Sequence, residues 1–158
     1  MTADLERLLE KTSRTFALSI PVLPEPTRGE VTIAYLLFRI ADTFEDASHW
    51  PCEKRRLALA DFERLLERPD AEEAARLAPS WVADGISTHA GYTWLMSESP
   101  GVLDAYAALT PAARAVVKEH VVRSSRGMAG FVARTSDDGR LALETLDDLH
   151  AYFARRRP

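Results

Sequence analysis

Apolar residues recur along this chain at the three- and four-residue spacing of amphipathic α-helices, and the strict alternation of β-strands is scarce. Prolines and polar turns divide the pattern into separate segments. The spacing predicts helices over residues 3–11, 27–47, 53–68, 111–134 and 146–156. We therefore expect an all-α fold of roughly six or seven helices.

Residues 69–101 give a less regular pattern. Pro79, Gly85, Gly91 and Pro100 divide this region into short pieces. Helical content is expected there, but the pattern does not define where each helix begins and ends.

The segment 27–47 separates polar from apolar positions most clearly. At about 100° per residue, Tyr35, Arg39, Asp42 and Asp46 fall within an arc of roughly 60°, and we call these four residues the polar line. The opposite side carries apolar residues that predict attachment to the core: Ile33, Leu36, Leu37, Ile40 and Phe44.

The acids of this helix lie where they destabilise it. Asp42 and Asp46 are like charges four residues apart, which costs about 0.2–0.5 kcal/mol, and Glu45 adds a third acid. All three lie in the C-terminal half of the predicted helix, where the helix dipole disfavours each anion by about 0.3–1 kcal/mol. A polar side facing water is the ordinary explanation of a charged stripe, but a bound cation explains this placement better.

Carboxylates without neighbouring His or Cys residues suit a hard cation. Mg²⁺ binds proteins through one or two carboxylates while it also holds substrate phosphates and waters. The pattern therefore predicts Mg²⁺ and a substrate with a phosphate or diphosphate. Phe38 flanks the polar line and adds apolar surface, which suits a diphosphate attached to a hydrocarbon tail.

Composition and charge narrow the classes of partner. The chain has 158 residues, of which 46% are hydrophobic, and it carries 20 basic against 24 acidic side chains for a formal net charge of −4. It has no block of basic residues that would bind a phosphate backbone, so nucleic acid is not an expected partner.

Cysteine content and the N-terminal residues indicate a cytoplasmic protein. Cys52 is the single cysteine, which excludes an internal disulfide framework and a cysteine-rich metal site. The charged N-terminal residues do not match a signal peptide. The longest apolar stretch, residues 31–38, is far shorter than the roughly 20 residues needed to cross a bilayer. A contact of one face with a membrane surface stays open.

Four segments resemble, in the same order, motifs of the squalene and phytoene synthases, the head-to-head prenyl synthases. Residues 35–46 are similar to the first aspartate-rich motif of that family, and residues 12–17 to its Ser-Arg-Ser-Phe segment. Residues 127–131 resemble its Gly-Met-Ala-x-Phe helix, and residues 148–152 resemble the start of its Tyr-Cys-x-x-Val-Ala-Gly motif. The sequence Asp-Thr-x-Glu-Asp at residues 42–46 resembles squalene synthases more than phytoene synthases. The resemblance implies an isoprenoid-synthase-type helical bundle.

The resemblance also implies a reaction and its residues. Two farnesyl diphosphates, or longer prenyl diphosphates, would condense head to head, and NADPH would reduce the cyclopropane intermediate to squalene. Mg²⁺ on the diphosphate would be held by Asp42, Glu45 and Asp46. Contacts to phosphate oxygens would come from Ser13, Arg14 and Arg39. Carbocations would be stabilised by the rings of Phe16 and Tyr35, and proton transfer is implied for Tyr152.

Each of these residues also has a plain structural explanation. Ser13 could serve only as a helix cap, and Phe16 and Tyr35 could be core aromatics. The segment around Gly127 could serve close helix packing, which we favour.

The sequence departs from the family in two respects. Family members are about twice as long and carry a second aspartate-rich motif, which is absent here. After Tyr152 the chain reads residues 153–158 as Phe-Ala-Arg-Arg-Arg-Pro instead of continuing the motif. We expect residues 1–158 to be the N-terminal part of a single prenyl synthase domain that lacks the C-terminal helices, through a shift or interruption of the reading frame.

This expectation leaves several functional hypotheses. The chain alone would have little or no catalytic activity, and exposed apolar faces would favour self-association. A separate polypeptide could supply the missing half. The alternatives are phytoene-type condensation, a head-to-tail prenyl synthase or terpene cyclase, and a non-catalytic helical remnant.

Overall fold

The computed structural model describes residues 4–83, 85–135, 145–147, 149, 150 and 153, and within them it contains helices and no β-strand. The α-helices are α1 (Leu5–Thr12), α2 (Phe16–Ser19), α3 (Thr27–Asp46), α4 (Cys52–Glu67), α5 (Ala71–Val82), α6 (Ala90–Ser97), α7 (Ser99–Ala107) and α8 (Pro111–Val132), and a 3₁₀-helix covers Ile20–Val22. The all-α prediction is confirmed, with more helices in the described part than the sequence pattern indicated.

Short polar side chains begin three of the helices. Asp4, Asp70 and Thr110 each accept a hydrogen bond from the backbone N–H three residues later, at 2.9–3.3 Å. Such caps satisfy backbone donors that have no partner inside the helix. The predicted start of α8 at Thr110 and Pro111 is therefore confirmed.

Residues 69–101 differ from the prediction, because most of the presumed breaks lie inside helices. Pro79 lies in the last turn of α5, while Gly91 and Pro100 are the second residues of α6 and α7. A proline is tolerated in the first turn of a helix, where its missing N–H has no helical partner. Of the four residues, only Gly85 lies between helices, in the segment that joins α5 to α6. It adopts a φ of 64°, a backbone conformation that favours glycine.

Helix α3 is the centre of the core. It contacts α1, α4, α6, α7 and α8, and its inward-facing Leu36, Leu37 and Ile40 are fully buried. Phe44, also on this side, packs edge-on against Trp81 of α5, with ring centroids 5.1 Å apart. The core thus fixes the orientation of α3, and with it the direction in which the polar line points.

No helix among the described residues combines the length and the apolar character that a bilayer span requires. The last predicted helix, residues 146–156, lies largely outside the described residues.

Candidate functional site

The polar line lies on the side of α3 that faces away from the core. The side chain of Asp42 is 35% exposed, that of Arg39 is 25% exposed, and Asp46 at the end of the helix is exposed. The five apolar residues on the opposite side are all buried. The predicted division of this helix into a core side and a polar side is confirmed.

Tyr35 joins the polar line to the first part of the chain. Its hydroxyl donates a hydrogen bond to the backbone carbonyl of Thr12 at 2.9 Å, where α1 ends. Its ring lies against that of Phe16, with centroids 5.0 Å apart and planes tilted by 44°. Phe16 is 37% exposed and Tyr35 is half-buried, so neither ring is enclosed in the core. Their role toward carbocations stays a prediction.

Ser13 and Arg14 lie beside these rings, in the turn between α1 and α2. The Ser13 hydroxyl accepts a hydrogen bond from the backbone N–H of Phe16 at 2.9 Å. Ser13 is also the C-cap residue of α1, whereas the N-cap of α2 is Thr15, so the Ser13 hydroxyl has a local structural role in this turn without being the N-cap of α2. Arg14 is exposed, and a contact of either residue with diphosphate stays a prediction.

Arg39 is the cation of the polar line. Nη1 lies 3.5 Å from Oδ2 of Asp42, and Nη2 donates to the Tyr35 hydroxyl at 3.5 Å. The third nitrogen, Nε, is buried and makes no hydrogen bond to any described residue. Burial lowers the pKa of Arg39, but Tyr35 and Asp42 raise that pKa by more, so the net direction is upward. The guanidinium stays charged and retains donor capacity for an anion.

A cavity of about 200 Å³ opens beside the polar line. Its walls come from the end of α3, the following turn, and the segment that leads into α6. The lining residues are Arg39, Thr43, Asp46, Ser48, His49, Ile86, Ser87, Thr88 and Tyr92. The sequence analysis did not identify the residues of the 86–92 segment, because only the packing of α6 against α3 brings them to this place.

The three predicted metal ligands do not share one environment. Asp42 is partly exposed and Asp46 exposed on the polar line, whereas Glu45 is only 8% exposed. The backbone carbonyl of Glu45 accepts a hydrogen bond from Nη1 of the buried Arg55 at 2.9 Å. A metal role for Glu45 stays a prediction, and Asp42 and Asp46 are the better placed pair.

The donor set fits Mg²⁺ only in company with a substrate. No group of three His, Cys, Asp or Glu side chains in the described part of the chain is arranged to hold a metal ion. Mg²⁺ does not need such a group, since it binds through one or two carboxylates and fills its other positions with phosphate oxygens and waters. Asp42 and Asp46 satisfy this requirement.

The remaining site predictions concern the C-terminal third of the chain. Gly127 and Met128 are buried in α8, which packs against α3 and α4, as the packing interpretation requires. Tyr152 lies outside the described residues, so its role stays a prediction.

Most of the chain is similar to known proteins. The family model described as squalene/phytoene synthase matches residues 9–155. The Botryococcus squalene synthase of Botryococcus braunii is 30% identical over 128 residues, which cover 80% of this chain and 25% of that protein. The squalene synthase of Schizosaccharomyces pombe is 28% identical over 146 residues, which cover 92% of this chain and 30% of that protein.

A solved structure is also similar. TcSQS in complex with the ligand E5700 superimposes with a TM-score of 0.76 at 28% identity, over 96% of this chain and 39% of that chain. This chain therefore spans between about a quarter and two fifths of the lengths of these relatives.

Proposed function

Because the chain belongs to the squalene/phytoene synthase family, we propose that it carries the first diphosphate site of a transferase that joins two farnesyl diphosphates head to head. Squalene is the favoured product, since squalene synthases are among its relatives and residues 42–46 have the wording of squalene synthases. The observation that carries the proposal is the pair Asp42 and Asp46 on the exposed side of α3, beside Arg39.

The polar line supplies what the departure of diphosphate requires. Asp42 and Asp46 would hold Mg²⁺, which neutralises the charge that develops on the leaving diphosphate. Arg39 donates N–H groups to phosphate oxygens, and such charge-assisted hydrogen bonds are stronger than neutral ones. Because Oδ2 of Asp42 lies 3.5 Å from Nη1 of Arg39, the carboxylate that would hold the metal and the guanidinium are close enough to contact the same bound diphosphate.

The neighbouring surface suits the rest of the substrate. Val31 and Phe38 flank the polar line of α3, are half-buried and offer apolar contact to a prenyl chain. The rings of Phe16 and Tyr35, 5.0 Å apart, present π faces that would stabilise a developing carbocation by up to about 2 kcal/mol when water is excluded.

Later steps depend on residues outside the described part. We propose that Tyr152 moves the proton as the cyclopropane closes, and that NADPH reduces the intermediate, as the family resemblance implies. The sequence carries one aspartate-rich motif of the family type and not the second, so we expect diphosphate to leave while water captures most of the carbocation. The chain alone would then give little head-to-head product.

Product analysis tests this function. The chain is incubated with farnesyl diphosphate and Mg²⁺, with and without NADPH; inorganic diphosphate is quantified and the organic products are identified by mass spectrometry. We expect Mg²⁺-dependent release of diphosphate, farnesol formed by water capture, and traces of C30 product. In the variant Asp42→Asn/Asp46→Asn, release should fall to the rate in buffer.

A matched variant controls for the loss of two negative charges. Glu6 and Glu10 lie on α1 with the same four-residue spacing, and both are exposed. Glu6→Gln/Glu10→Gln should leave the release unchanged. A folded wild-type chain that releases no diphosphate above the buffer rate would support the non-catalytic remnant instead.

A further inference from the structure

The guanidinium of Arg39 contacts two tyrosine rings from two different helices. Its Cζ lies 5.7 Å from the ring centroid of Tyr35 on α3 and 5.1 Å from that of Tyr92 on α6. Both distances are within the range of cation–π attraction. Tyr35 lies one helical turn before Arg39 on the same helix, whereas Tyr92 approaches Arg39 because α6 packs against α3.

These ring contacts matter because the polar contacts of Arg39 are long. Its contacts with Asp42 and with the Tyr35 hydroxyl are both 3.5 Å, and Nε has no hydrogen-bond partner among the described residues. Normal N–H···O bonds are 2.7–3.2 Å. A π face holds a guanidinium without consuming its N–H donors, so Arg39 is held in place while the N–H groups of Nη1 and Nη2 remain available.

Tyr92 is itself well supported. The imidazole of His89 stacks on its ring, with centroids 4.2 Å apart and planes inclined by 28°. The neighbouring residue, Gly91, lies so close to α1 that a Cβ built on it would be 2.2 Å from the carbonyl oxygen of Lys11. The stacking of His89 and the close packing of Gly91 against α1 thus both restrict the position of Tyr92.

We propose that Tyr92 is a positioning residue, which holds Arg39 at the edge of the cavity so that its N–H groups bind the oxygens of a diphosphate. Tyr92 and Arg39 both line that cavity. Its volume of about 200 Å³ admits a group of this size but not a prenyl chain. This inference rests on the proposed function, because it assumes that the polar line binds diphosphate.

Binding of inorganic diphosphate in the presence of Mg²⁺, measured by calorimetry on the full chain, tests the inference. Tyr92→Leu removes the π face and should weaken binding about three- to tenfold, as the loss of one cation–π contact predicts. Tyr92→Phe keeps the ring and should stay within about twofold of wild type. If Tyr92→Leu binds as tightly as wild type, the inference is wrong.

Two further comparisons separate positioning from a general structural role. Trp94 lies on the same helix and also faces a cation, with Cζ of Arg7 at 5.4 Å from its ring, so Trp94→Leu is the matched control and should not change diphosphate binding. In an Arg39→Ala background, Tyr92→Leu should have no additional effect on binding. An undiminished effect in that background would mean that Tyr92 acts through the fold and not through Arg39.

A measurement without ligand checks the geometry. The Nε–Hε resonance of Arg39 in a ¹⁵N NMR spectrum should be displaced by ring currents in wild type and Tyr92→Phe, and it should return toward the position of a solvent-exposed arginine in Tyr92→Leu. A resonance that Tyr92→Leu does not move would overturn the inference. If the wild-type chain binds no diphosphate but shows the displaced resonance, the proposed function fails, and with it the ligand that we assign to Arg39.

Discussion

Replacing Gly91 by alanine should push α6 away from α1. A Cβ on this residue would lie 2.2 Å from the backbone carbonyl oxygen of Lys11 and 3.0 Å from Cε1 of His89, whereas ordinary contacts begin at 3.4 Å. The imidazole can rotate away, but the carbonyl belongs to helix α1 and cannot yield by itself. The two helices must therefore separate by about 1 Å at this point.

The magnitude follows from two opposing terms. Forced overpacking in a well-packed contact costs about 1–3 kcal/mol, while alanine in place of glycine inside a helix returns up to about 1 kcal/mol. We expect Gly91→Ala to lower the free energy of unfolding by about 1–2 kcal/mol, which lowers Tm by about 2–8 °C in a protein of this size. Urea denaturation followed by far-UV circular dichroism measures both the midpoint and the slope.

Gly130 provides the matched control. It lies within α8, and no heavy atom comes within 4 Å of a Cβ built there. Gly130→Ala should therefore raise stability by up to about 1 kcal/mol. If Gly91→Ala is as stable as Gly130→Ala, the close approach of α6 to α1 does not exist and the placement of Tyr92 beside Arg39 loses its support.

Three other substitutions test the core, a buried hydroxyl and a helix cap. Phe44→Ala removes a fully buried ring and should cost about 3–5 kcal/mol in urea denaturation, whereas Leu57→Ala, at a residue 57% exposed, should change stability by less than about 0.5 kcal/mol. Burial raises the pKa of Tyr106, so the folded state keeps this proton longer than the unfolded state, and stability should fall as the pH rises above about 10. Tyr106→Phe should show a smaller fall in pH-dependent thermal unfolding; equal slopes would contradict the assignment. Thr110→Ala removes the cap whose hydroxyl accepts from the backbone N–H of Ala113 at 3.3 Å, and it should cost about 1 kcal/mol in the same denaturation assay, with no loss meaning that the cap is not formed in solution.

The long helices could be predicted closely from the sequence. The helix predicted over residues 27–47 is α3, which covers Thr27–Asp46, and the helix predicted over residues 53–68 is α4, which covers Cys52–Glu67. Each boundary agrees to within one residue. These helices bury one continuous apolar side, so the core and the local pattern favour the same structure.

The region 69–101 could not be predicted in the same way. Glycine and proline are common in turns, but Gly91 and Pro100 each lie in the first turn of a helix here. At that place the N–H group that proline lacks would have no helical partner, and the flexibility of glycine costs little stability. Pro79 lies in the last turn of α5 and removes only one hydrogen bond. The tendency of glycine and proline to interrupt helices was therefore outweighed by tertiary packing against α3 and α7.

The candidate site likewise contains residues that could be predicted from the sequence and residues that could not. The polar line was visible because its four residues share one helix, and helical periodicity alone places them together. Tyr92 and His89 lie about fifty residues further along the chain, and nothing in their local pattern indicates that they approach Arg39. Arg39 could be predicted as a diphosphate ligand from the sequence. The contact of Tyr92 with Arg39 could not, because it depends on how α6 packs against α3.

Calorimetry with a non-hydrolysable farnesyl thiodiphosphate tests the central claim, that the polar line of α3 is a metal–diphosphate site. The titration is made with and without Mg²⁺ on the wild type, on Asp42→Asn/Asp46→Asn, and on the control Glu6→Gln/Glu10→Gln. We predict Mg²⁺-dependent binding by the wild type and the control, and at least about tenfold weaker binding by the Asp42/Asp46 variant. Binding that needs no Mg²⁺, or that survives the loss of both aspartates, would contradict the account.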